Sequence, residues 1–105
     1  KVRRNMLEFS NMIVINRKQI KIINKYEVCP VGTQKSFYGK AKVLELANGM
    51  KILKSYDTLI LVQDGNRFMR LWDGWSATTG KHIYSFCGMH KKDFRKLTCD
   101  EWCEV

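Results

Sequence analysis

The chain has 105 residues, 45% hydrophobic and 28% charged, the profile of a folded globular domain and not of a disordered tail. Its net charge of +9 falls wholly in residues 1–54, where twelve Lys/Arg face only Glu8, Glu27 and Glu45, while residues 55–105 carry seven charges of each sign. Such a one-sided basic footprint meets phosphate or an acidic protein face, and apolar runs as short as Leu59–Val62 exclude a helical membrane span of ~20 residues.

No linker or internal repeat divides the chain, so residues 1–105 are read as a single domain. No signal-peptide apolar segment stands near the start, and a cytoplasmic location is expected. Cys29, Cys87, Cys99 and Cys103 are then expected to be reduced thiols.

In chain order, Met12–Ile15 and Ile20–Ile23 are rich in β-branched residues and read as strands about the polar turn Asn16-Arg17-Lys18-Gln19. The second is expected to continue through Asn24–Val28 until Cys29-Pro30-Val31-Gly32 ends it. Phe37–Leu46 and Met50–Tyr56 flank Asn48-Gly49, a type I′ hairpin signal. A two-residue loop there would set Leu44 against Leu53, Lys42 against Ser55 and Lys40 against Asp57. Thr58–Val62 and Arg67–Trp72 flank a second turn at Asp64-Gly65-Asn66. A three-residue loop would set Leu59 against Leu71 and Leu61 against Met69.

The pattern then changes period. Ser76-Ala77-Thr78-Thr79 offers N-caps for a helix running to about Cys87, with Gly88 as its left-handed stop. Ile83, Phe86 and Cys87 share one face of it, and Gly80 weakens it. Phe94 and Leu97 suggest a second short helix, and Thr98-Cys99-Asp100-Glu101 a capping box opening a final turn with Trp102. The expected fold is therefore α+β, an antiparallel sheet of five to six strands followed by C-terminal helices.

Catalysis is not expected. His82 and His90 are the two histidines, and no nucleophile elbow, phosphate loop or dinucleotide fingerprint is present; a Cys87–His82 pair is the nearest approach to a dyad. Cys87, His90, Cys99 and Cys103 could form a zinc set, but Cys-x3-Cys is not the knuckle spacing, and buried small hydrophobes explain these cysteines as well. No cofactor is expected. The contact surface is expected at Lys35, Phe37, Tyr38, Lys40, Lys42, Lys51, Lys54 and Tyr56, where lysines alternate with rings able to stack on bases. An ordinary solvated, lysine-guarded strand is the competing reading. Lys91-Lys92-Asp93-Phe94-Arg95-Lys96 reads as a solvated helix face.

Three stretches carry a resemblance: Lys35-Ser36-Phe37-Tyr38-Gly39-Lys40-Ala41, Ser55-Tyr56-Asp57-Thr58, and Ser76-Ala77-Thr78-Thr79 with His82 and Phe86 following. Together they resemble a family of small proteins from phages and mobile elements of gut Firmicutes. The resemblance implies no catalytic activity. It implies an accessory protein acting inside a bacterial cell, in the manner of anti-CRISPR inhibitors that bind a Cas nuclease, its guide RNA or its DNA channel. The expected function is thus non-enzymatic inhibition of a nucleic-acid-directed defence machine. The alternatives are a stand-alone DNA- or RNA-binding regulator and a zinc-stabilised interaction module.

Overall fold

The computed structural model describes residues 6–8, 11–15, 18–28, 40–97 and 101–104. Its strands are β1 (Met6–Glu8), β2 (Met12–Ile15), β3 (Lys18–Glu27), β4 (Ala41–Leu46), β5 (Lys51–Ser55), β6 (Thr58–Asp64), β7 (Arg67–Arg70) and β8 (Trp102–Glu104); helices α1 (Ala77–Cys87) and α2 (Lys91–Arg95) lie between β7 and β8. Every strand pairs antiparallel with the next, so sheet order equals chain order. The sheet coils into a half-barrel.

The mainly antiparallel sheet with short helices agrees with expectation, but the strand count does not. Among the described residues eight strands stand where five or six were expected, and the helices are followed by β8. Trp102 does not sit in a final helical turn; it pairs with Met69 of β7. Thr98, Cys99 and Asp100 of the expected capping box lie outside the described residues, as do Cys29, Pro30 and residues 31–39.

Both hairpin registers differ from expectation. Leu46 N–H bonds Met50 O at 2.9 Å and Gly49 N–H bonds Leu46 O at 3.0 Å, so the first loop is Ala47-Asn48-Gly49, with Gly49 at φ +94. Leu44 therefore opposes Ile52, and Lys42 opposes Lys54. The second loop shortens to Gly65-Asn66, which sets Val62 against Met69 and Leu61 against Arg70. A one-residue slip exchanges the faces of a strand, and here it sorts the apolar residues into two cores.

On the inner face, Leu44, Leu46, Ile52, Val62, Met69 and Leu71 meet Ile13 and Ile22 from the N-terminal strands. Strand β3 serves both groups: its first half pairs with β2 and its second with β4. The register shifts between Ile22 and Asn24, and such a bulge bends a strand. On the outer face, Val43, Leu53, Ile60, Leu61 and Phe68 pack with Ile83 of α1 and Phe94 of α2.

The helices form where the cap signals stand. Ser76 Oγ accepts the Thr79 N–H at 3.1 Å, and Gly88 at φ +81 closes α1 through its N–H to Tyr84 O. Arg70 fastens α2 to the sheet. Its buried guanidinium lies 4.5 Å from the Phe94 ring centroid and donates to Trp72 O at 2.8 Å and Leu97 O at 3.5 Å.

Candidate nucleic-acid interface

The slip in the β4–β5 register decides where the lysines go. Lys42 and Lys54 become direct cross-strand neighbours, on the face whose next residues inward are Leu44 and Ile52. Lys25 opposes Leu44 on that same face, and Glu27 stands across from Lys42. One end of the inner face thus carries three lysines and one carboxylate. Like charges directly opposed in a sheet disfavour each other by some tenths of a kcal/mol, and Glu27 across from Lys42 offsets part of this. Lys51 belongs elsewhere: it points to the outer face and pairs with Glu45 at 3.8 Å. Lys35, Phe37 and Tyr38 lie outside the described residues.

Lys40 and Tyr56 close the end of the same hairpin. Tyr56 N–H bonds Lys40 O at 2.7 Å, and the exposed Lys40 ammonium lies 5.9 Å from the Tyr56 ring centroid, within cation–π range. Tyr56 occupies the first position of the β5–β6 loop at φ +55. A left-handed backbone costs a non-glycine residue about 1–2 kcal/mol. The ring, 52% exposed, is presented to solvent by this turn.

Beneath it, three polar side chains join the hairpin to α1. Ser55 Oγ is 2.9 Å from His82 Nδ1 and 3.2 Å from Thr79 Oγ1, and all three residues are buried. Burial, reinforced by Lys40, lowers the His82 pKa from its ordinary 6.5. Tyr56 covers the cluster, with its ring centroid 6.0 Å from that of His82. The three stretches singled out in the sequence therefore converge on one spot, through Lys40, Ser55 with Tyr56, and Thr79 with His82. Ser76 caps α1, and Thr78 is exposed. Among the described residues no buried side-chain polar atom lacks a partner, so the cluster works as a hydrogen-bonded joint.

The remaining candidates separate. Cys87 donates to Ile83 O within its own helix and does not engage His82. Burial pushes its thiol up to about 11, which disfavours the thiolate a metal would need. His90 stacks on Tyr84 with centroids 4.9 Å apart, and Cys103 Sγ lies 3.7 Å from Glu101 O. Among the described residues no three His, Cys, Asp or Glu side chains gather as a metal site; Cys99 lies outside them.

Sequence reading missed Lys25, because nothing local signals that β3 lies beside β4. It also missed Trp75, Lys81 and Tyr84, which the fold gathers with His90 and Lys91 about a groove on the outer side of α1.

A family model described as "Family of unknown function (DUF8033)" matches residues 25–104. The chain belongs to the DUF8033 family. No curated protein and no solved structure matches it. The DUF8033 span takes in Lys25, Lys40, Lys42, Lys54, Tyr56 and the Ser55–Thr79–His82 joint, and begins after β1 and β2.

Proposed function

We propose that this protein binds nucleic acid without catalysing a reaction, holding the phosphate backbone at Lys25, Lys42 and Lys54 and a base against Tyr56 beside Lys40. The observation that carries the reading is the gathering of Lys25, Lys42 and Lys54 at one end of one sheet face, with Lys42 and Lys54 directly opposed. Inhibition of a nucleic-acid-directed machine is the narrower form of this reading, with the same surface laid on a guide RNA or a DNA strand held by a nuclease.

The test is fluorescence anisotropy with a labelled single strand and a labelled duplex at ~50 mM salt, where phosphate contacts are strong. The Lys42→Gln, Lys54→Gln double variant should weaken binding at least tenfold. Each lysine lost should flatten the dependence of log K on log salt by about 0.7–0.9. Lys51→Gln removes one charge from the opposite face and should leave both nearly unchanged, whereas Lys42→Gln alone, which removes one charge from this face, should already weaken binding. Equal losses in these two single variants would mean that only net charge matters, and the surface assignment would fall.

A further inference from the structure

Across α1 from the hairpin lies a groove of about 440 Å³, within the range of small-ligand sites. Its walls are aromatic. Trp75 lines it together with the Tyr84 and His90 rings, which are tilted 35° to one another. Lys81 and Lys91, both exposed, complete it, and no Asp or Glu lines it.

Gly80 is what brings Trp75 to this position. A Cβ built on Gly80 would fall 2.4 Å from the Trp75 indole, so the ring occupies space that any side chain at position 80 would claim. Past Trp75 and Lys91 a second groove of about 390 Å³ continues, lined also by Arg70, Asp73 and Arg95. An apolar, ring-walled space thus opens toward cations on one side.

We infer that this groove binds a single nucleotide unit, its base lying among Trp75, Tyr84 and His90 and its phosphate reached by Lys81 and Lys91. The chemistry required is a planar aromatic ring carrying a phosphate. It is met equally by a free nucleotide or by the phosphorylated end of a single strand, and rings of both kinds gain from aromatic stacking. The site is separate from the hairpin surface and does not depend on it.

Titration of isotopically labelled protein with AMP, adenosine, inorganic phosphate and a 5′-phosphorylated oligonucleotide, followed through amide and indole N–H resonances, tests it. AMP should give saturable shifts at the Trp75 indole and at Gly80, Lys81 and Tyr84. Lys81→Glu with Lys91→Glu should weaken AMP at least tenfold and leave adenosine unchanged, whereas Tyr84→Ala should weaken both. With affinities read at the Trp75 indole in the Lys42→Gln, Lys54→Gln background, tighter binding of AMP than of the oligonucleotide identifies a free nucleotide as ligand, and the reverse order a strand end. Shifts confined to Lys42 and Lys54, or none at millimolar AMP, would overturn the inference without touching the hairpin reading. Loss of the hairpin's oligonucleotide binding in Lys42→Gln, with AMP shifts intact, would leave it standing.

Discussion

His82 shows how one residue can tie local chemistry to stability. It is buried against Ser55 and Thr79, and its pKa is lowered by burial and by Lys40. The unfolded chain therefore takes up a proton more readily than the folded one. Its contribution is fully present above the ordinary histidine value of 6.5 and is lost as pH falls from there through the lower folded value. Denaturant unfolding should show stability declining as pH falls below the ordinary histidine value of 6.5, with a slope of at most one proton taken up on unfolding. His82→Leu takes away one of the two partners of Ser55 and should be less stable at pH 7.5, but its slope should be flatter over this interval. An unaltered slope in that variant would remove His82 as the source. Tyr56, with its positive φ, carries the other local cost, and it spends that strain holding an exposed ring over the joint.

Among the elements, α1 was the most legible and the hairpin registers the least. Ser76 and Gly88 announce the ends of α1 through chemistry contained within a few residues, and the structure follows them. Asn48-Gly49 likewise announces a turn, but not whether Ala47 joins the loop. That single residue decides whether Leu53 or Ile52 faces the helices. The sum of two buried faces chooses between them, and no local signal reports it. The same limit hid β8, whose partner β7 lies more than thirty residues upstream, and the approach of Lys25 to the Lys42–Lys54 pair. Gly80 shows the inverse case, a residue that looks wrong locally and is right in place. Alanine in a helix is favoured over glycine by about 1 kcal/mol, which argues for stabilisation by Gly80→Ala. The methyl group would, however, meet the Trp75 indole at 2.4 Å, and Trp75 in turn packs on Phe94 at 5.9 Å. Displacing a core-packed ring typically costs 1–3 kcal/mol, so the net effect should be destabilising. A higher melting temperature for Gly80→Ala would show that Trp75 yields freely.

At the scale of the whole molecule, the division into a basic and a neutral half belongs to the sequence and not to space. The basic strands curl over the inner core, and the balanced half supplies Lys81, Lys91 and Arg95 to the outer grooves, so cations reach both sides of the sheet. With a net charge of +9 and a radius of gyration of 13.0 Å, self-repulsion is a global term. At 0.01 M salt the Debye length is ~30 Å, longer than the molecule's radius, whereas at 0.15 M it is ~8 Å and only near neighbours interact. The melting temperature should therefore rise between these two conditions. Lys42→Gln with Lys54→Gln removes both a directly opposed like-charge pair and part of the global term, so it should raise the low-salt melting temperature and shrink the salt-dependent increase. Lys51→Gln relieves one charge of the global term and gives up the contact with Glu45, so its low-salt gain should be less than half that of the double variant. A melting temperature that falls with added salt would mean that attractive pairs dominate the surface. In that case the opposed lysines would be a stable fixture of the fold.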